Sequence, residues 1–430
     1  MLYTRKSGRR PNWPRIIGAI VVLAVIIGGI VLGVNYLPGM LSGDNDTSPT
    51  PVDTSPTPGI TPSAQPQDSP DPSDSTSPDP SQDAALTGTR TFTLSAVGDI
   101  MTHSAITQAA RSGNGYDYAP FFQWVKEYVS GADIALGALN APITDAAASD
   151  TNAPLALAQA LNDAGFDAMA LCGDMMLGQG ATGVGNSATA LNDAGIKPAG
   201  AGDIAMLKVN DLNIAVLSFA QGVKDTPEGY ESAIRLLNDA NIAADMQKAK
   251  DNKADIIIAY IHGDSAAGAT TGDEQKAWAK KLGDAGAHIV LGAYGNVAQG
   301  MEYIDAANAD GSTRKVLVAY SLGDFLSHFR TNNKDCGIIL NLTVTKDMAS
   351  GVVSVTTAQY MPTYILRYSS QGKYHFEILP AADYSGARHL GMNNDAKARA
   401  KKVYETLTTT IGTQVATPIP MADLLPESLR

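Results

Sequence analysis

Residues Thr91–His103 have the sequence TFTLSAVGDIMTH, and this stretch decides the fold class that we predict. Its first seven residues are mostly apolar or β-forming and lead into Gly98-Asp99, so we expect a β-strand that ends in a tight turn. The turn holds a carboxylate at Asp99, and an imidazole follows four residues later at His103. A rigid strand end that fixes a hard oxygen donor beside a cation is typical of dinuclear metallohydrolases.

Short apolar runs and helical stretches alternate along the chain after residue 90. We expect strands at Phe92–Val97, Ile134–Leu139, Ala168–Leu171, Ile214–Phe219, Ile256–Tyr260, Ile289–Leu291, Val316–Tyr320, Ile338–Val344 and Val352–Thr357. We expect helices at Tyr118–Ser130, Pro154–Ala164, Gly185–Ala194, Ala233–Lys250 and Glu274–Ala285. This alternation predicts an α/β fold with functional loops at the carboxyl ends of strands. No helix separates the last two strands, so that pair should be antiparallel, and two mixed sheets flanked by helices fit best.

The N-terminal segment predicts a membrane anchor. Residues 1–15 carry five bases and no acid, and Ile16–Val34 is an uninterrupted run of apolar residues and glycines. A helix of that length spans about 28 Å, which is enough to cross a hydrocarbon core. We therefore expect a single transmembrane helix over 16–37, with a cytoplasmic N-terminus and an extracytoplasmic C-terminal part. A cleaved signal peptide is the alternative, but the apolar run is long and no small-x-small site follows it.

The segment 38–90 predicts a disordered linker. It is rich in Ser, Thr, Pro and Asp, with ten prolines between Pro49 and Pro80. Such a composition cannot bury enough apolar surface to offset the entropy of ordering, so an extended tether is expected. A mucin-like glycosylated stalk is the alternative.

The charge balance limits the partners. Five of the 31 bases lie in the first 42 residues, which leaves 26 bases against 43 acids, a balance of −17. Nucleic acid is therefore not an expected partner. An anionic polymer could bind only through a locally basic patch or a bridging cation. The spacing of the two cysteines, Cys172 and Cys336, leaves a disulfide open.

A set of motifs in fixed order resembles a known family. The motifs are SAVGDIMTH (95–103), GADIALGALNAPIT (131–144), LNDAGFDAMALCGD (161–174), ALNDAGIKPAGAG (190–202), IAYIHGD (258–264), DEQKAWAKKLGDAGAHIVLGAYGNVAQGMEYI (273–304) and VAYSLGDFL (318–326). Together they resemble the CapA family of capsule or poly-γ-glutamate biosynthesis proteins. The resemblance implies a metallophosphatase-like layered sandwich over 91–385, followed by a helical extension or tail over 386–430. It also implies a role in making, exporting or retaining an anionic polymer.

Four loops depart from the pattern of that family. Ala138-Leu139-Asn140 stands where the family resembles Asn-Leu-Glu, and Cys172-Gly173-Asp174 stands for Asn-Asn-His. Tyr294-Gly295-Asn296 replaces His-Pro-His, and Gly323-Asp324-Phe325 replaces Gly-Asn-Phe. A two-cation site needs a bridging carboxylate and several imidazoles, and neutral amides and glycine cannot supply them. The loops therefore predict a degenerate metal site with no tightly bound ion.

A reduced site remains chemically possible. Asp99, Asp174 and His262 form a potential one-metal set for Mn²⁺, Zn²⁺ or Fe²⁺, with Asp174 and His262 as catalytic groups. Further side chains expected to line the cleft are His103, Asn140, Asp264, Tyr294, Asn296 and Asp324. Three of these residues have a structural alternative. Asp99 could cap a helix, and His103 and His262 could form hydrogen bonds within the fold without a role in a site. Cys172 is interpreted as a small buried hydrophobe rather than a nucleophile.

Three hypotheses follow for a single-pass protein of the cell membrane. In the first, the degenerate cleft binds a polymer or a partner without catalysis. In the second, the protein is a metal-dependent hydrolase or transferase with a one-metal site. In the third, it is a wall-spanning scaffold that docks other capsule-synthesis membrane proteins.

Overall fold

The computed structural model describes residues 87–145, 149, 152–222, 230, 233–263, 268, 270–308, 310–385, 389 and 392–420. Every described residue belongs to one compact unit, Ser77–Arg430. The predicted transmembrane helix over 16–37 lies outside the described residues, as does almost all of the predicted linker over 38–90. Within the described part, no helix combines the length and the apolar character needed to span a membrane.

The strands, numbered along the chain, are β1 Thr89–Ile100, β2 Arg111–Ser112, β3 Gly115–Tyr116, β4 Ile134–Leu139, β5 Ile143–Thr144, β6 Ala153–Pro154, β7 Ala168–Ala170, β8 Lys197–Ala199, β9 Ala205–Val209, β10 Leu212–Ala220, β11 Ile256–Gly263, β12 Ile289–Tyr294, β13 Met301–Ala307, β14 Thr313–Ala319, β15 Asp324–Leu326, β16 Cys336–Asp347, β17 Val353–Ser370, β18 Lys373–Pro380 and β19 Thr417–Pro418. The α-helices are α1 Ser104–Ala109, α2 Ala119–Phe122, α3 Lys126–Ser130, α4 Ala156–Asp163, α5 Gly180–Asp193, α6 Asp239–Asp251, α7 Asp273–Ala285 and α8 Asn394–Ile411. Two 3₁₀ helices cover Asp174–Gln179 and Ala381–Asp383.

Two large mixed sheets organise the described residues, which confirms that part of the prediction. The first follows the order β18-β17-β16-β1-β4-β7-β8, with β15 beside β1 and β19 beside β17. The second follows the order β13-β14-β12-β11-β10-β9. The pairs β1–β4, β4–β7, β10–β11 and β11–β12 are parallel, so their carboxyl ends share an edge. The late strands β16 and β17 are antiparallel, as the absence of an intervening helix predicts.

Strand alternation explains how the layers pack. Along β11, Ile256 and Ile258 contribute to the large core that includes the first sheet. The neighbours Ile257 and Ala259 belong to a second core with the apolar faces of α6 and α7. Successive strand residues point to opposite faces, so a strand covered on both sides is mostly apolar, as β11 is before it reaches His262. The second sheet is therefore covered by the first sheet on one face and by helices on the other.

Three predicted helices differ from the structure, and the simplest case is Gly185–Ala194, which begins earlier, at Gly180. Tyr118–Ser130 is not one helix but two short ones, because Val125 N donates to Phe122 O at 3.0 Å in a tight turn that interrupts the α-helical pattern. The predicted Ala233–Lys250 helix begins only at Asp239, because the Asn238 side chain accepts from Asn241 N and caps it there.

The predicted strands all occur, but sequence reasoning missed several others. These are the two-residue strands β2, β3, β5, β6 and β19 and the short or partly exposed strands β8, β9, β13, β15 and β18. The C-terminal segment also contains α8, whose buried side chains include Val403 and Leu407 and pack in the large core. Strand β19 continues from there and pairs in parallel with β17.

Candidate functional site

Side chains from both sheets meet at the carboxyl ends of their parallel strands. Asp99 lies near the end of β1, Asn140 follows β4, Asp174 begins the 3₁₀ helix after β7, and His262 lies near the end of β11. Asp99, Asn140 and His262 are buried, whereas Asp174 is exposed and marks the side on which the cleft meets solvent. The structure therefore places these four predicted residues at neighbouring strand ends.

A glycine allows the first strand end to approach its neighbour. Asp99 N donates to Gly323 O at 3.0 Å. A Cβ atom at Gly98 would lie 1.9 Å from that same Gly323 oxygen. Only glycine permits this contact between two backbones, and the contact brings Asp99 into register with Asp324 of β15.

The Asn140 amide nitrogen occupies the point that the predicted ligands face. Asn140 Nδ2 lies 3.1 Å from Asp174 Oδ1, 3.2 Å from His262 Nε2 and 3.4 Å from Asp99 Oδ2. His262 Nε2 and Asp99 Oδ2 are themselves 3.1 Å apart. The three residues predicted as metal ligands thus converge on the Asn140 amide nitrogen, which lies among their polar atoms.

The hydrogen-bond network fixes the orientation of that amide. Met175 N donates to Asn140 Oδ1 at 2.9 Å, and a backbone N–H can only donate. The other end of the amide must therefore be the NH₂ group, which donates to carboxylates. If the amide turned its oxygen towards the carboxylates, Met175 would lose its acceptor.

Gly173 makes room for the Asn140 side chain. A Cβ atom at position 173 would lie 2.0 Å from Asn140 Oδ1 and 2.2 Å from Asn140 Cγ. The two departures from the family pattern are therefore coupled, because the amide can take its position only while residue 173 has no side chain. Sequence reasoning missed this role of Gly173 and treated it only as a lost ligand.

The buried charges shift two pKa values in the cleft. Burial alone lowers the pKa of His262, but the charge of Asp99, the hydrogen bond to it and the charge of Asp174 outweigh burial and raise the pKa above 6.5. Burial and then the charge of Asp99 raise the pKa of Asp324 well above 3.8. Hydrogen bonds with the side chains of Ser327 and Asn296 and the charge of Lys334 oppose this rise but do not outweigh it. These shifts favour an imidazolium at His262 and a neutral carboxyl group at Asp324.

His103 and Asn296, which were also predicted to line the cleft, make contacts outside the group around Asn140. The His103 carbonyl accepts from Ile106 N and Thr107 N at the start of α1. The centroid of the His103 ring lies 4.0 Å from that of His328. Asn296 Oδ1 accepts from Lys334 Nζ at 3.2 Å, a contact that no sequence motif indicated.

Other predictions concern Tyr294, Asp264 and the cysteines. Tyr294 ends β12, and its side chain lies outside the described part, as does the whole of Asp264. Cys172 and Cys336 are separate, buried, free cysteines, so the disulfide that the sequence left open is not formed. Burial raises the pKa of the Cys172 thiol to about 12, which supports its interpretation as a buried hydrophobe.

The residues present do not fit a dinuclear metal centre. Asn140 supplies no bridging charge, Gly173 supplies no ligand, and the described residues contain no group of three or more His, Cys, Asp or Glu side chains placed to hold an ion. Asp99, Asp174 and His262 could hold one divalent cation only if Asn140 turned away from them. A bound cation would neutralise the carboxylates and could polarise an anionic substrate.

Comparison with known proteins identifies the family. The model of the family described as bacterial capsule synthesis protein PGA_cap matches residues 93–328. The chain belongs to this family of capsule synthesis proteins. Capsule biosynthesis protein CapA of Bacillus anthracis is 26% identical over 274 residues, which cover 57% of this chain and 62% of that relative. The CapA resemblance predicted from the motifs is therefore confirmed, although the match spans less than two thirds of the relative's length.

Several solved structures show partial similarity. They include Haemophilus influenzae NAD nucleotidase (TM-score 0.40, 11% identity, 77% of this chain and 57% of that one) and a phosphatase from Mycoplasma pneumoniae (0.36, 11%, 64% and 94%). A third is the purple acid phosphatase PPD1 from yellow lupin seeds (0.30, 12%, 63% and 53%). All three TM-scores are below 0.5, so the metallophosphatase-like layered sandwich stays a prediction.

Proposed function

We propose that this member of the capsule synthesis family acts in the biogenesis of capsule or a related anionic envelope polymer, and that its cleft binds a polymer or a partner rather than performing two-metal hydrolysis. The proposal includes a single membrane helix over 16–37, a tether over 38–90 and an extracytoplasmic domain. One observation carries the functional part: the Asn140 amide nitrogen lies within 3.4 Å of all three predicted ligands.

The physical argument is that Asn140 performs the cross-linking that a cation would otherwise provide. Its NH₂ group donates to Asp99 and Asp174, and its oxygen accepts from Met175 N. The imidazolium favoured at His262 offsets part of the carboxylate charge at the same point. Asp99 Oδ2 and Asp174 Oδ1 each receive a hydrogen bond, whereas Asp99 Oδ1 is buried and has no hydrogen-bond partner among the described groups. The amide and the imidazolium thus meet part of the need that two dications would otherwise meet, which weakens the driving force for recruiting them.

The test measures metal content and turnover in parallel. The full-length protein would be incubated with excess Mn²⁺ or Zn²⁺, dialysed and assayed by elemental analysis, and then tested for hydrolysis of bis-p-nitrophenyl phosphate. We expect less than one ion per chain and no turnover above that of the Asp99→Ala variant. Two retained ions together with metal-dependent turnover would overturn the proposal.

The convergence of Asp99, Asp174 and His262 favours a second candidate, a hydrolase or transferase with one metal ion. This candidate requires Asn140 to rotate away when the ion binds. It predicts one ion retained by the wild type and lost in both Asp99→Ala and His262→Ala. It also predicts tighter metal binding by Asn140→Ala, because that variant removes the competing amide.

A further inference from the structure

A pocket with a volume of about 290 Å³ lies on the first sheet, away from the cleft. This volume is close to the lower end of the usual range for small-molecule sites, about 300–1,000 Å³. Its floor comes from the neighbouring strands β1, β16 and β17, and its rim comes from α3 and the residues that follow that helix. Thr93 in the floor precedes Asp99 on β1 by a distance of roughly 20 Å along the strand. The pocket is therefore a separate site from the cleft.

Strand pairing gathers neutral polar side chains on the floor of the pocket. Thr343 on β16 lies directly opposite Thr93 on β1 and Thr357 on β17. Asn341 lies opposite Gln359 in the same way. Directly paired residues point to the same face of a sheet, with Cβ atoms about 4.5–5.5 Å apart. These five side chains therefore form two adjacent rows of hydroxyl and amide groups.

Most of these polar groups are available to a ligand. The Thr93 hydroxyl is already used, because it donates to Asp133 Oδ2 at 2.8 Å and accepts from Asp133 N at 2.9 Å. The other four floor side chains have no hydrogen-bond partner among the described residues, and all four are at least partly exposed. An amide offers two N–H donors and one acceptor oxygen, and a hydroxyl group both donates and accepts. The floor can therefore pair with a ligand that has donors and acceptors in equal measure.

The charge of the pocket disfavours ionic ligands. Among the described residues that line it, Glu127 on the rim is the one charged side chain. A single carboxylate repels anions, and it supplies little charge for binding a divalent cation. An anionic polymer is therefore not the ligand that this pocket favours.

Tyr128 adds an aromatic ring to the rim, next to the polar floor. Aromatic rings offer a large apolar contact area. A sugar ring matches both features, because its C–H groups form an apolar face and its hydroxyl groups lie around the edge. Pockets that combine an aromatic surface with a few convergent polar groups are typical of ligand sites.

We propose that this pocket binds one neutral pyranose unit of a glycan. The sugar hydroxyl groups bond with the amides of Asn341 and Gln359 and with the floor threonines, and its C–H face packs against Tyr128. The proposal goes beyond the function proposed above and does not depend on the chemistry of the cleft.

The test uses the full-length protein and two uncharged probes, cellotriose and triacetylchitotriose, in isothermal titration calorimetry. We expect saturable binding of at least one probe that does not weaken as salt rises, because no ion pair is involved. The Asn341→Ala/Gln359→Ala variant should bind about tenfold more weakly, because it removes two hydrogen-bonding amides. Its matched control is Gln159→Ala/Gln247→Ala, which removes two exposed amides on α4 and α6 and should bind like the wild type. Equal loss in both double variants, or no binding of either probe by the wild type, would overturn the proposal.

Further variants and probes identify the site and the ligand class. Thr357→Trp should block the pocket and abolish binding, whereas Thr356→Trp, at an exposed position outside the pocket, should not. Asn140→Ala, which alters the cleft, should leave sugar binding unchanged. A loss confined to that variant would place the binding in the cleft and refute the pocket. Stronger binding of the anionic trigalacturonate or of the cationic, deacetylated chitotriose would refute the preference for a neutral sugar.

Discussion

The two ends of the second sheet differ in charge and in how their polar groups are satisfied. At the carboxyl ends, Asp99 and Asp174 lie close to His262, Asp324 lies in register with Asp99, and the Asn140 amide donates to Asp99 and Asp174. At the amino ends, lysines line an open cavity with the neutral imidazole of His288. The strands position both sets equally well, so the side chains at each end, rather than the fold, decide what each end can bind.

The comparison also shows where packing constrains the molecule. At the cleft, two glycines permit backbone or side-chain contacts that no other residue would allow. At the cavity, the lining lysines are exposed and are free to change without disturbing the core. We therefore expect substitutions at the cleft to reduce stability more than substitutions at the cavity.

The largest effect should come from Gly98→Ala. Its Cβ would lie 1.9 Å from the backbone oxygen of Gly323, so β1 or the Gly323 loop must move. We expect a loss of about 3 kcal/mol or more in the free energy of unfolding, measured by urea denaturation. Gly185→Ala in α5 is the control, because its Cβ would meet nothing within 4 Å and an alanine should stabilise the helix by about 0.5–1 kcal/mol. A Gly98→Ala protein as stable as the wild type would show that this contact is not needed.

The coupling between Gly173 and Asn140 should give the next largest effect. Gly173→Ala alone places a Cβ against the Asn140 amide and should destabilise the fold by about 1–3 kcal/mol. In the Asn140→Ala background the same change should lose much of its effect, because Cγ and Oδ1 are gone. A double-mutant cycle measured by urea denaturation would give this interaction energy. Additive single effects would mean that the two positions are independent and would weaken the argument that Asn140 replaces a cation.

Lowering the pH should change the stability of the fold in opposite directions through the histidines at the two ends of the second sheet. The raised pKa of His262 means that its contribution to stability is fully present below 6.5 and is lost as pH rises through the folded-state pKa. Burial and then the charges of Arg314 and Lys346 lower the pKa of His288, so folding holds it neutral and stability is lost as pH falls from 6.5 towards about 4. Histidine NMR titration should place one resonance above 6.5 and another near 4, assigned by His262→Gln and His288→Gln. Two unshifted histidines would remove the electrostatic contrast.

Much of the fold could be predicted from the sequence, because apolar runs and glycine stops are local signals. The strand Ile134–Leu139 is apolar or glycine throughout and occurs with the predicted bounds. Strand β13 escaped prediction because most of its residues are not buried and its sequence, MEYIDAA, lacks a continuous apolar run. The break before α3 also depends on a tight turn rather than on a helix-breaking residue.

The site was predictable in its members but not in their arrangement. The strand-end motifs predicted that Asp99, Asp174 and His262 would lie close together. In the structure, His262 lies 3.1 Å from Asp99, and Asn140 bridges Asp99 and Asp174. The position of the Asn140 amide among them depends on the absence of a side chain at Gly173, one loop away. No sequence motif indicated the cavity, because the residues that line it come from separate elements that only the folded structure brings close.

The smallest effect on stability should come from Lys315→Gln at the cavity. Lys315 Nζ lies 2.9 Å from Asp305 Oδ1, but both side chains are more than 60% exposed. Water and salt screen such a pair, so its loss should change the free energy of unfolding by less than about 0.5 kcal/mol. Urea denaturation of the variant and the wild type would measure this change. A loss of more than about 1 kcal/mol would show that the exposed pair contributes more than a screened surface ion pair should.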